Sequence, residues 1–173
     1  MTWIAPDVQR IEPGEPAPER DALQRWLDYH RATLLFKCQG LTGDQLVRRT
    51  AEPSTLCLLG LVRHMAEVER SWFCRRLAGQ SDLPYLYCSD EYPDGDFDLA
   101  DAAGAEAAVE TFKAECAAAD AAAAGRSLEE TFVTSRGTTL DLRWIYLHMI
   151  EEYARHNGHA DILRERLDGV TGD

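Results

Sequence analysis

This 173-residue chain has no stretch approaching the ~20 consecutive apolar residues of a membrane span, which argues against a helical transmembrane protein. It also has no basic excess: 18 Lys and Arg stand against 30 Asp and Glu, a formal net charge of −12. Binding to nucleic-acid phosphates or to anionic lipid needs a cationic patch, so neither a nucleic-acid nor a membrane partner is expected. The arginines that crowd in sequence, Arg63, Arg70, Arg75 and Arg76, point in several directions on a helix and read as a solvated face. Cysteine is sparse and odd in number. Cys38, Cys57, Cys74, Cys88 and Cys116 include no CxxC pair, which argues against a disulfide scaffold and a thiolate zinc site. The first residues hold no positively charged stretch leading into an apolar run, the mark of a secretory signal. A reducing cytoplasm is the expected setting. No internal repeat is present.

What remains has the composition of one soluble globular domain, with 45% apolar and 28% charged residues. Pro6, Pro13, Pro16 and Pro18 make residues 1–19 an extended arm without helical period. Residues 20–169 read as a single domain of four long helices, and 170–173 as a tail. The first helix runs from about Glu19 to Gln39, with Leu23, Trp26, Leu27, His30, Leu34 and Lys37 along one side and Gly40 as its stop. The second follows Pro53-Ser54-Thr55, where either hydroxyl serves as cap, and ends at Ala78-Gly79. The third covers Ala102 to Ala124, with Val109, Phe112 and Cys116 as its apolar seam. A short extended or hairpin stretch at Leu128 to Thr139 precedes Thr138-Thr139-Leu140-Asp141, which has the form of a capping box with Asp in place of Glu. The last helix reaches about Leu167. The fold class is all-α, an up-and-down four-helix bundle.

The loop between Gln80 and Asp98 is rich in Tyr and Asp, and a connection that long in a compact domain is often functional. Its Asp94-Gly95-Asp96-Phe97-Asp98 run has alternating acids but lacks the central Gly and terminal Glu of an EF-hand. The last helix is the richest segment. It places His148, Glu152, His156 and His159 on one stripe that Ile145, Met149 and Leu163 share, so the stripe is read as the buried face; Arg143, Asn157 and Asp161 point the other way. A carboxylate and several imidazoles on an apolar face require partners, and a metal ion suits such a set. Glu152 and His156, four residues apart, can hold one ion together, with a third ligand from another helix. His64 is the best candidate, on a face with Cys57, Gly60, Leu61, Val68 and Ser71, where Gly60 and Ser71 leave space. His64, Glu152 and His156 with an open position suit Zn²⁺, Ni²⁺ or Fe²⁺. His148 and His159 compete for the same role or orient a ligand. The alternative is that His64 is a satisfied core histidine and Glu152 pairs with Arg155 or with the first helix.

At these residues the chain resembles the DinB superfamily of four-helix bundles, in its actinobacterial branch. The resemblance is carried by Arg143-Trp144, His148, Glu152 and Arg155-His156-Asn157-Gly158-His159-Ala160-Asp161, continuing to Leu163-Arg164-Glu165. Tyr29 to Leu35 with Gly40-Leu41, then Ser54, Leu58 to His64 and Glu67-Val68-Glu69 extend it over most of the chain. The resemblance implies a divalent metal held by a second-helix histidine and two residues of the last helix, which are Glu-x-x-x-His in the related mycothiol-dependent maleylpyruvate isomerase. Carried onto this chain, that set is again His64, Glu152 and His156. The commoner first histidine of the pair is replaced by Glu152.

The resemblance further implies a metal-dependent thiol S-transferase or isomerase. A low-molecular-weight thiol, mycothiol or bacillithiol, is activated as a thiolate and attacks an electrophilic small molecule. His148 or His159 is then the proton shuttle. The Tyr85 to Tyr92 loop closes the pocket, and Arg63 or Arg143 meets a carboxylate of the thiol. Zinc is the expected ion, and a homodimer the expected state, from family habit and the small residues of the third helix. The competing expectation is a non-catalytic metal- or ligand-binding bundle.

Overall fold

The computed structural model describes residues 2–172, so Met1 of the arm and Asp173 of the tail lie outside the described residues. In chain order the elements are α1 (Glu19–Cys38), α2 (Gly43–Leu46), α3 (Leu58–Glu69), a π-helical continuation of α3 (Arg70–Leu77), α4 (Gly95–Asp98), a 3₁₀ turn (Ala102–Gly104), α5 (Ala105–Ala123), β1 (Thr131–Val133), β2 (Thr139–Asp141) and α6 (Leu142–Asp168). The protein is an all-α bundle. α1 lies along α6 and α3 along α5, while α3 also touches α6 and α1. The two short strands form an antiparallel hairpin with Phe132 opposite Leu140, leading directly into α6. Leu27, Leu34, Leu61, Met65, Phe73, Phe112, Ile145, Tyr146, Met149 and Tyr153 are buried between the four helices. Ahead of α1 the described residues form no helix. Ala5 is buried and exchanges backbone hydrogen bonds with Gly40 and Leu41, which ties this segment to the end of α1.

The helix ends follow local chemistry, with two departures from the sequence expectation. The cap of α3 is Cys57, whose Sγ accepts from the Gly60 amide, and neither Ser54 nor Thr55 fills that place. Ser54 lies too early and accepts from the Leu56 amide in its own turn. At α6 the capping box does not form. β2 carries the extended backbone through Asp141, and Asp141 itself caps by accepting from the Trp144 amide at 2.7 Å. A reciprocal capping box does close α2, between Thr42 and Gln45. The π-helical stretch changes the register of the end of α3. Phe73, Cys74 and Leu77 face the core there, while Trp72 packs against Trp144 and His148 of α6.

The helical-wheel expectation for α6 is off by roughly a quarter turn. Its buried face consists of Leu142, Ile145, Tyr146, Met149, Tyr153, Asn157, Ala160 and Leu163, and the histidine stripe forms the flank of that face. Asn157, expected to point outward, is buried and donates to the His30 carbonyl. α6 is covered from two sides. α1 takes the flank of Tyr146, Asn157 and Asp161, through Tyr146–Gln24, Asn157–His30 and Lys37–Asp161 contacts. α3 reaches the other flank. On α1, Trp26 is exposed rather than core-facing, and Arg31, Thr33 and Cys38 are buried instead.

One consequence of that packing is a charge cluster in the centre of the bundle. Arg31 of α1 donates through Nε and Nη2 to both oxygens of Glu69 at 2.7 and 2.8 Å, and the Tyr153 hydroxyl donates to Glu69 at 2.7 Å. Glu69 has no exposed surface. Burial alone would lower the Arg31 pKa, but the charge and hydrogen bonds of Glu69 outweigh it, and the guanidinium is held above its ordinary range.

Candidate metal centre

Three of the residues singled out from sequence meet in the groove between α3 and α6. One ligand atom each from His64, Glu152 and His156 lies within 4.8 Å of the others. His64 and His156 face each other across the helices, with ring centroids 4.8 Å apart. His156 Nε2 stands 3.4 Å from Glu152 Oε2, longer than a good N–H···O hydrogen bond. It is close to the ~3.4 Å that separates two ligands sharing a tetrahedral ion at about 2.1 Å. Burial lowers the His156 pKa to about 4, reinforced by the neighbouring His64 and His159 imidazoles, so the ring is neutral at physiological pH. A neutral imidazole is the form that ligates. Two imidazole nitrogens and a carboxylate oxygen, half-buried and mutually unbonded, therefore fit a borderline divalent ion.

His148 and His159 flank the three. His159 Nδ1 is 3.4 Å from His156 Nδ1. His148 Nε2 is 3.7 Å from the other oxygen of Glu152, and its ring stacks on Trp144 at 4.7 Å and meets Trp72 edge-on. Burial lowers the His148 pKa despite the nearby Glu152 and Glu151 carboxylates. His148, Glu151 and Glu152 form a second group of possible ligands, but there Arg155 pairs directly with Glu151, while it stands 3.7 Å from Glu152.

A cavity of about 260 Å³ opens beside His64, with Trp72, Arg76, Asp94, Asp96 and Phe97 among its walls. Its loop wall comes from residues 88–97, while Tyr85 and Tyr92, the aromatic closure expected from sequence, are largely exposed. Tyr85 packs under the Arg75 guanidinium instead. The space expected beside Gly60 is filled. A Cβ there would sit 2.4 Å from the Phe97 ring, so glycine is required for the loop to close on α3. Gly95 is required too, because a Cβ would sit 2.3 Å from the Tyr87 carbonyl oxygen.

The arginines depart from the expected solvated face. Arg63 is buried and donates to the carbonyls of Leu99 and Gly95, and Arg70 pairs with Glu115. Both are covered because residues 80–99 fold back over α3. Arg143 is held at the surface by Glu19 and Glu129. Neither Arg63 nor Arg143 is placed to meet a thiol's carboxylate. The guanidinium at the cavity is that of Arg76, lying over Trp72 and donating to the Ser71 carbonyl. Sequence reasoning also passed over Asp96. Its carboxylate lies 2.8 Å from His64 Nδ1 and is buried. The signal was the Asp-rich run itself, whose alternating acids stop short of an EF-hand. Among the described residues Asp94, Asp96 and Asp98 form no ligand group of their own: Asp96 is on His64 and Asp98 faces Arg49.

A helical bundle with two histidines and a glutamate converging beside a cavity defines a class: a four-helix scaffold presenting a small polar centre between two helices. The family described as mycothiol-S-transferase matches residues 22–169, so the chain belongs to that family, a member of the DinB-like superfamily. The match begins within α1 and leaves the first 21 residues outside it. Neither the search of curated proteins nor that of solved structures finds a match.

Proposed function

We propose that this protein is a divalent-metal-dependent thiol S-transferase, with His64, Glu152 and His156 holding the ion, zinc the best-suited one, and mycothiol as the thiol. The observation that carries this reading is the convergence of those three ligand atoms beside a cavity, in a chain of this family. A divalent cation there would favour the thiolate over the thiol at neutral pH.

The chain's own residues do the rest. Glu152 contributes the negative charge of the ligand set, while His64 and His156 contribute imidazole nitrogens. The thiol proton passes to a histidine at the rim. His148 is favoured over His159 because it packs on Trp72, which lines the cavity. The thiolate sulfur then forms a bond to the electrophilic carbon of a small molecule as the leaving group departs with its electron pair. Trp72 and Phe97 offer apolar walls to that molecule. Arg76 is the cation nearest the cavity for an anionic substituent. A homodimer belongs to the same reading, since Ala114, Ala117, Ala118 and Ala121 leave α5 a flat exposed face on which a second helix can approach closely.

The test supplies mycothiol, bacillithiol and glutathione separately with a chromogenic aryl halide, to metal-free protein and to protein loaded with Zn²⁺. The expected result is a Zn²⁺-dependent rate of thioether formation, highest with mycothiol. Stoichiometric Zn²⁺ binding with no thiol-dependent rate and no thiol binding by calorimetry would assign the protein a non-catalytic, metal-binding role.

A further inference from the structure

We infer that Asp96 is the positioning residue of this centre: its carboxylate holds the His64 imidazole in the tautomer protonated at Nδ1, which leaves the Nε2 lone pair for an ion. The inference rests on the metal-centre reading and deepens it. His64 Nδ1 and Asp96 Oδ2 are 2.8 Å apart, a charge-assisted distance, and the Asp96 side chain is only 6% exposed. An imidazole that donates from one nitrogen offers its lone pair at the other, and an anionic acceptor makes that lone pair more basic. Asp96 is not among the atoms that converge with Glu152 and His156, so it supports the ligand rather than joining the set.

The loop that carries Asp96 is held to α3 at successive turns, and this makes the contact pre-organised. Asp96 Oδ1 accepts from the Phe97 amide at 3.0 Å, which fixes the carboxylate itself. Phe97 fills the cleft at Gly60 and packs on the His64 ring, with centroids 5.5 Å apart. Arg63 donates to the carbonyls of Gly95 and Leu99 on either side of Asp96, at 2.8 and 3.0 Å. One turn beyond His64, Glu67 Oε2 accepts from the amides of Leu86 and Tyr87 at 2.7 and 2.9 Å. Gly60, Arg63, His64 and Glu67 thus form one strip of α3, and all four engage the same loop. The conversion of the Asp-rich run into a support for His64 is the use the fold makes of it.

Two measurements test the inference. The first needs no variant. Long-range ¹H–¹⁵N NMR of the metal-free protein at neutral pH, with His64 assigned by its loss in His64→Gln, should show the Nδ1–H tautomer. A His64 ring protonated at Nε2 alone would overturn the inference. The second is Zn²⁺ titration by calorimetry of wild type, Asp96→Asn and Asp96→Glu. Asp96→Asn should bind one ion about 10–100-fold more weakly, and Asp96→Glu should recover part of that loss. Wild-type Zn²⁺ affinity in Asp96→Asn would overturn the role of Asp96 alone. A wild type that binds no ion would overturn the metal centre itself, even with His64 in the expected tautomer.

Discussion

Both oxygens of Glu69 accept hydrogen bonds of 2.7–2.8 Å from Arg31 and Tyr153, whereas the nitrogens of His156, His148 and Arg155 stand 3.4–3.7 Å from the carboxylate of Glu152. The two clusters lie in the same bundle and contain similar groups, yet they differ in what they leave to be done. Around Glu69 each hydrogen-bonding group is matched at contact distance, and Arg31 extends the cluster to Asp120 and Asp28 at 2.8 and 3.2 Å, so no group is left for a further partner. Around Glu152 the groups face one another at distances too long for mutual hydrogen bonds and short enough for a shared third body. Saturated contacts make a structural cluster; unsaturated convergence makes a candidate site.

The sharpest way to break this comparison is to remove charge from each cluster in turn. Glu69→Gln takes from Arg31 its buried counter-ion and leaves it only the half-exposed Asp120 and Asp28, at 2.8 and 3.2 Å, so denaturant unfolding should show a loss of about 3 kcal/mol. The double variant Arg31→Met/Glu69→Leu should be less destabilised than either single change, since no buried charge is then left alone. Next in size, Glu152→Gln keeps the shape of the side chain and removes its charge. Zn²⁺ affinity should fall by more than the ~10–100-fold typical of a supporting residue, while the unfolding midpoint of the metal-free protein moves little. Unchanged Zn²⁺ affinity and stoichiometry in Glu152→Gln would move the ligand role to His148 or His159.

The smallest expected effect is one of pH. His156 titrates at about 4 in the folded protein against 6.5 as a free side chain, because it is buried beside two other imidazoles. Between those values the unfolded chain binds a proton that the native state does not, so the metal-free protein loses stability as pH falls from 6.5 towards 4. The loss should be shallower in His156→Gln, measured by urea unfolding across that interval. Equal slopes for the two proteins would show that the groove does not hold His156 neutral.

Much of the bundle was legible from one-dimensional pattern. Gly40 and Gly79 mark helix ends where a positive φ is needed, and the structure has both at φ of 70–75°. The extended or hairpin stretch expected at Leu128 to Thr139 forms as the hairpin of β1 and β2, which runs on to Asp141. The errors came where a residue's surroundings outweighed its own preference. Ser54 and Thr55 are better caps than cysteine, but the chain enters α3 at Cys57. Arg63 reads as a surface residue until the loop after α3 folds over it and supplies two carbonyls. The buried face of α6 is centred a quarter turn from the histidines because Tyr146, Tyr153 and Ala160, which are fully buried, define it.

The candidate site divides along the same line. Glu152 and His156 are four residues apart on one helix, and the 3.6-residue turn places them on one side whatever the tertiary structure does. That is a local property, determined by sequence alone, as are the helices themselves and the excess of negative charge. The approach of His64 across the groove, the filling of the Gly60 cleft by Phe97 and the seating of Asp96 on His64 join residues 32 to 92 positions apart. No periodicity encodes such distances. They were decided by which faces of α3 and α6 the core buries, and by a loop whose backbone is held by Arg63 and Glu67, contacts that exist only once the bundle has closed.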